Sequence, residues 1–327
     1  MRPLIALAAA MAAFLFATDI PAQAPARDAP EYPARSVRLV IPFTAGGGND
    51  IVARTVAQKR SEQWGQQVIS DNRTGANGII GTELVAKANP DGYTLVIAST
   101  SFTMNPALQK LPFDPIRDFA PVGLVAEGAL IFTAHPSFPA RSIGELIKVA
   151  KASPGKLQYA TSGQGGVTHL AAELFQRMAG VSLLLVPYKG SSAAAIDVVS
   201  GQVPVMVSSV SPALPYLTSG LLRALGIGST KRSPLLPRVP TVAEQGVPGY
   251  DSSMWWGILA PAKTPPAIVA KVNRDINRAL DSDDVRERIA RLGMSVLTSD
   301  PAQFSKIIAS DITKWGKIIN EVGVGAK

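Results

Sequence analysis

Two glycine-rich segments carry the residue types best suited to chemistry, and the chemistry they suit is anion capture. The first, Phe43-Thr44-Ala45-Gly46-Gly47-Gly48-Asn49-Asp50, follows the apolar run 37–42 and leads into a helical pattern from Ile51. The second, Thr161-Ser162-Gly163-Gln164-Gly165-Gly166, follows 157–160 and opens a helix at Val167-Thr168-His169-Leu170. A glycine loop entering a helix presents unpaired backbone N–H groups at the positive end of the helix dipole. Two such loops, about 115 residues apart, predict a ligand whose negative oxygens are held from two sides.

The residues predicted to bind fall around these loops. Gly46, Gly47 and Gly48 offer backbone amides that a ligand can approach closely, flanked by Phe43, Ala45 and the Thr44 hydroxyl. Asp50 is an acid beside an anion site, so its expected role is to cap or order the loop. In the second segment Ser162, Gly163, Gly165, Gly166 and Thr168 form a donor-rich nest. His169 can contact the ligand or cap the helix, and the sequence leaves both open. Ser99 and Ser101 end a strand at its carboxyl edge, where α/β sheets bind ligands. Lys189 and Ser208 follow later strands in the same way, with a plain surface lysine as the alternative for Lys189. Trp255 and Trp256 can stack on a ligand or fill a core.

Enzymatic alternatives find less support. Gly-x-Ser-x-Gly, a Walker lysine loop and G-x-G-x-x-G are all missing from the glycine segments. Ser153-Pro154-Gly155-Lys156 matches Ser-x-x-Lys by letter, but its proline and glycine deny it a helix. A Ser162–His169 hydrolase is the best of these readings and lacks an evident third member. No catalytic residue, metal site or cofactor is expected, since the two histidines, His135 and His169, stand apart from acid clusters.

These loops are positioned by alternating strand and helix patterns. Strand 37–42, helix 50–64, a short strand at 67–70, helix 79–88 and strand 93–98 form one series. Strand 157–161, helix 167–179, strand 182–187, helix 191–200, strand 203–208, helix 211–219 and strand 222–227 form another. Alternation with short connections predicts parallel α/β sheets, and two series predict two lobes. The apolar stretches 121–133 and 254–260 read as strands crossing between them. Helices at 265–281, 283–291 and 301–322 complete the chain.

The 327 residues carry a net charge of +8, no cysteine and only 6% aromatics. With no run of three basic residues, the charge reads as scattered solvated lysine and arginine, and nucleic acid is not an expected partner. Arg2, the apolar run Leu4 to Ala17 and the small residues Ala22, Ala24 and Ala26 read as a signal peptide over 1–26, cleaved after 24 or 26. Export without cysteine fits a periplasmic space.

The landmarks taken together resemble the Bug family, the substrate-binding proteins of tripartite tricarboxylate transporters. The resemblance rests on Tyr32-Pro33 with Arg38 through Asp50, on Asn72-Arg73-Thr74-Gly75-Ala76-Asn77-Gly78, and on Pro90-Asp91-Gly92-Tyr93-Thr94-Leu95. It continues through Val186-Pro187-Tyr188-Lys189-Gly190 and Val239-Pro240-Thr241-Val242-Ala243-Glu244, covering the mature chain in order. Thr44 and Thr74 replace prolines common in the family, and Pro204 and Val207 depart from its frequent Gln-Val-Asp-Leu-Met-Phe. The resemblance implies an α/β, two-lobed periplasmic-binding-protein fold of type II (flytrap) with two crossover strands. It also implies a carboxylate on the loop from Phe43 to Asp50, with Thr161 to His169 holding the ligand's other end. Lobe 1 is then expected at 33–126 plus 253–327 and lobe 2 at 127–252. The protein is expected to be a monomer that carries a small mono- or dicarboxylate, citrate-like, C4-type or aromatic, to membrane transporter subunits. A sensing accessory that presents the same solute to a signalling system remains open.

Overall fold

The computed structural model describes residues 32–188 and 190–323, so the expected signal peptide over 1–26 and Lys189 lie outside the described residues. The chain first lays down β1 (Val37–Ile41), α1 (Gly48–Trp64), β2 (Val68–Asn72), α2 (Ile79–Ala86), β3 (Thr94–Ser99), α3 (Ser101–Leu108) and β4 (Phe119–Gly128). It continues with β5 (Leu130–Ala134), α4 (Ile143–Ala152), β6 (Gln158–Thr161), α5 (Val167–Ala179), β7 (Leu184–Pro187), α6 (Ser191–Val199), β8 (Val205–Ser209), α7 (Val210–Thr218) and β9 (Arg223–Ile227). It closes with β10 (Met254–Pro261), α8 (Pro266–Leu280), α9 (Asp283–Ala290), β11 (Met294–Val296) and α10 (Pro301–Val322).

These strands form two sheets. One has six strands in the order β11-β4-β10-β3-β1-β2, the other five in the order β7-β6-β8-β5-β9. Within the first, β1 runs parallel to β2 and β3; within the second, β6 runs parallel to β7 and β8. The remaining pairs are antiparallel, which corrects the expectation of purely parallel sheets. The reason lies in the crossings. Only Ala129 separates β4 in the first sheet from β5 in the second. The return crossing runs beside it, with Gly228 N–H donating to Leu130 O at 2.7 Å and Ser252 N–H to Gly228 O at 2.8 Å. A chain that leaves a sheet and re-enters it beside its exit must run back along its own path, so β10 pairs antiparallel with β4.

Apolar alternation explains which faces are buried. β1 (VRLVI) and β3 (TLVIAS) bury nearly every residue, as strands covered by helices on both faces do. In β10 all eight residues are buried, and adjacent side chains project to opposite faces. Trp255 faces α10, where its ring meets Phe304 edge-on at 5.2 Å and its indole N–H donates to Asp311 at 2.7 Å. Trp256 projects the other way. Phe132, Phe175 and Tyr250 form an aromatic knot under the second sheet, with centroids 4.9 to 6.3 Å apart. Each fully buried side chain of this size contributes roughly 1.5–3 kcal/mol.

Candidate functional site

The site is built by strands handing over to helices at their carboxyl ends. The turn 42–47 joins β1 to α1, and Thr100 alone joins β3 to α3. The turn 162–166 joins β6 to α5, while β8 passes directly into α7. Because β1 neighbours β3 and β6 neighbours β8, each sheet places two helix starts side by side. Residues from all four starts line one cavity of about 780 Å³. Gly46, Gly48 and Ser101 come from the first sheet's side, and Gly163, Gly165, Gly166, Val167, Ser209 and Ser211 from the second's. The first-turn amides of a helix have no acceptor within it, so the cavity is walled by positive helix ends. Among the described residues, none of those lining it is ionisable.

The first loop is held by its acid. Asp50 is 4% exposed and accepts the Gly46 N–H at 3.0 Å. It also accepts from Asn72 Nδ2 at 2.9 Å and from Arg54 Nε at 2.9 and 3.0 Å. Asn72 in turn donates to Phe43 O at 3.0 Å, so both ends of the loop converge on one carboxylate. Burial acts to raise the Asp50 pKa, but the hydrogen bonds from Arg54, Gly46 and Asn72 outweigh it and hold the group below the ordinary aspartate range. A depressed folded pKa makes Asp50 a source of stability that is complete above the unfolded value of about 3.9 and lost as pH falls through the folded value. The stability difference between wild type and Asp50→Asn, followed by chemical denaturation, should therefore shrink as pH falls from about 5 to 2. A difference that stays constant across that range would reject the assignment.

The second loop repeats this geometry with different residue types. Gly46 and Gly165 both sit at positive φ, 81° and 74°. Each is followed by an N-cap glycine with nearly the same backbone angles, φ −80° and ψ 170° at Gly47, φ −77° and ψ 170° at Gly166. In both, a side chain four residues on takes the N–H of the positive-φ glycine. His169 Nδ1 accepts the Gly165 N–H at 3.0 Å, where Asp50 serves in the first loop. A residue one turn further steadies each acceptor. Arg54 holds Asp50, and Glu173 Oε1 lies 3.5 Å from His169 Nε2. Glu173 also accepts from Tyr159 at 2.8 Å and from Gln176 at 2.7 Å. Burial tends to raise the Glu173 pKa, yet its contacts with His169, Tyr159 and Gln176 hold it low.

The floor is apolar. Met254 and Trp256 from β10 line the cavity together with Leu292 and Met294 at β11. Trp255, on the opposite face, does not. Two side-chain atoms of cavity-lining residues, Asn49 Oδ1 and Trp256 Nε1, are buried without a hydrogen-bond partner.

Of the residues the sequence singles out, Phe43, Gly46, Gly48, Ser99, Ser101, Ser162, Gly163, Gly165 and Gly166 line the cavity. Thr44, Ala45 and Gly47 lie in the same loop but outside the lining, with Thr44 and Ala45 exposed. Asp50 and His169 are buried behind their loops as locks. Thr168 is 2% exposed, and its hydroxyl accepts the Ser162 N–H and pairs with the Ser162 hydroxyl at 2.9 Å. Ser208 is fully buried and donates to Ser209 O. The amides of Ser162, Gly163 and Gly165 already have side-chain acceptors in Thr168, Thr161 and His169. That leaves the first turn of α5 as the open donor set. Ser162 and His169 are not hydrogen-bonded to each other, because both ring nitrogens of His169 face other partners, so no hydrolase pair is present.

The strand-end hydroxyls of Thr100 and Ser209, also readable in the sequence, line the cavity, while Asn77, Gln109, Ser211, Leu292 and Met294 line it without having been singled out. Asn77 carried a signal, since it lies in the Asn72–Gly78 motif. Its backbone is left-handed at φ 53°, and its side chain donates to Asn105 at 2.8 Å.

Comparison with known proteins agrees with this architecture. The model of the TctC family, the tripartite tricarboxylate transporter family receptors, matches residues 52–324. Protein BugT of Bordetella pertussis is 38% identical over 299 residues, spanning 90% of this chain and 92% of BugT. The solved structure of the periplasmic binding protein BugD matches with a TM-score of 0.78 at 34% identity, covering 90% of this chain and all of that one. Rpa4515 of R. palustris, solved with adipate, matches at TM-score 0.80 and 35% identity over 89% of this chain and 98% of its own. With two sheets facing one cavity and these relatives along nearly its whole length, the chain belongs to the tripartite tricarboxylate transporter receptor family, as a periplasmic solute-binding receptor and not an enzyme.

Proposed function

We propose that the protein captures a small carboxylate in the cavity between its sheets and delivers it to membrane transporter subunits. The observation that carries this reading is the convergence of four helix starts on a single cavity. One carboxylate rests on the open amides at the start of α1, from Gly48 to Asp50. The first turn of α5, with the Ser162 hydroxyl beside it, holds the ligand's other end. Residues 33–126 with 253–327 act as one lobe and 127–252 as the other, closing about the crossings at Ala129 and Gly228. The segment within residues 1–26 is removed on export by cleavage after 24 or 26, and the receptor works as a monomer.

Magnitudes support the grip. A helix start contributes roughly 0.3–2 kcal/mol to an anion and a charge-assisted hydrogen bond about 1.5–3 kcal/mol. Two ends with two or three such bonds each, less the cost of ordering and desolvation, reach about −8 kcal/mol, which is micromolar. The adipate held by Rpa4515 supports a carboxylate in a relative of the same shape.

A melting screen against carboxylic acids and their amides tests the proposal. A matched acid at 100 times its Kd should stabilise the fold by about 2.7 kcal/mol, a rise of roughly 5–8 °C, and its amide should not. If no acid shifts the melting point, the carboxylate reading is wrong.

A further inference from the structure

The cavity's apolar floor adds a second selection to the proposed anion grip. Met254 of β10 and Met294 of β11 both pair with Gly128 of β4, from its two sides. Trp256 lies over the same glycine. A Cβ placed on Gly128 would sit 2.9 Å from Trp256 Cζ3 and 3.4 Å from Met294 Cγ. The three side chains thus form one continuous wall, with room for the indole made by a missing side chain. This wall reaches the start of α1, where a Cβ on Gly48 would lie 3.1 Å from Met294 Cε and 3.5 Å from Trp256 Cζ2. Leu292 extends it within the cavity.

A carboxylate seated on the open amides at the start of α1 therefore lays its carbon body on Trp256 and two methionines. Thioethers and an indole are soft, polarisable surfaces that suit a flat or branched hydrocarbon. The same wall is poor for additional charge. Among the described lining residues there is no acid to pair an ammonium and no cation to pair further carboxylates. Asp50, the acid nearest the loop, is already saturated by Arg54, Asn72 and Gly46. The indole N–H of Trp256 is buried without a protein partner.

We infer that the ligand is a carboxylate with an apolar aryl or alkyl body next to its acid group, in preference to one that carries further charge on that body, as citrate and amino acids do. This rests on the carboxylate reading above. Titration calorimetry of the protein with benzoate, hexanoate, citrate, glutamate and benzamide separates the two claims. Benzoate or hexanoate should bind at least about tenfold tighter than citrate and glutamate, since one methylene in an apolar pocket is worth roughly 10- to 200-fold. Leu292→Asn, a half-buried position, should reduce that preference at least about fivefold with little change in melting temperature. Citrate or glutamate binding as tightly as benzoate and hexanoate would overturn the apolar-body inference and leave the carboxylate reading standing. Benzamide matching benzoate, or silence from all four acids, would overturn the carboxylate reading and this inference with it.

Discussion

Asp50→Ala should lower the melting temperature by roughly 4–12 °C and weaken carboxylate binding by more than about tenfold. The carboxylate accepts from a main-chain N–H, an amide side chain and a guanidinium, and it is almost fully buried. Alanine strands all three donors. Stranding a buried donor costs about 1–3 kcal/mol, although Arg54 is half exposed and recovers part of its loss from water. A total near 2–4 kcal/mol corresponds to that range of melting temperature at about 2–3 °C per kcal/mol. Binding falls because Gly46 is released from its positive-φ conformation and the amides of the loop are no longer held in place. Asp50→Asn, which keeps one carbonyl acceptor, should fall between the two. An alanine variant that melts with the wild type would remove Asp50 from the role of lock.

Gly257→Ala should be comparably damaging for a steric reason. Gly257 lies in β10 between β3 and β4, and a Cβ there would sit 2.3 Å from Phe304 Cζ and 2.7 Å from Cε1. Phe304 is fully buried and stacked edge-on against Trp255, so it has no space to retreat. Overpacking of this kind costs about 1–3 kcal/mol or more. The expected drop in denaturation midpoint should be partly restored by adding Phe304→Leu, which removes the ring that the methyl meets. If the second substitution deepens the loss, the clash is not its cause. The strand also carries Trp256, so ligand affinity should decline alongside stability.

Much of this architecture was legible because its signals are local. A strand, a glycine loop and a helix follow one another in order at 37–64 and 157–179, and the structure keeps that order with ends shifted by a few residues. The first-turn acid Asp50 suggests a loop organiser from the sequence, since an acid beside an anion site makes a poor ligand contact, and in the structure it accepts the Gly46 N–H. Other features were hidden for identifiable reasons. The helix α4 had its start signal in Ser142 and Glu145, where the Ser142 hydroxyl accepts the Glu145 N–H at 3.2 Å, but no glycine loop drew attention to it. The helix α3 is eight residues long with Pro106 inside, too short and too irregular for a clear period. His169 was ambiguous because its equivalence to Asp50 is geometric. A histidine and an aspartate share no pattern in sequence, yet each offers an acceptor four residues beyond a glycine N–H. Met294 and Leu292 join the cavity only through the pairing of β11 with β4, a contact between segments far apart in the chain.

An anchor made of helix starts belongs to the main chain, which point substitution leaves in place. Descendants of such a receptor can exchange Met254, Leu292 or Ser211 and acquire a new cargo while inheriting the charge-recognising element intact. Diversification of diet then proceeds by repainting the walls of a socket whose hook is never rebuilt.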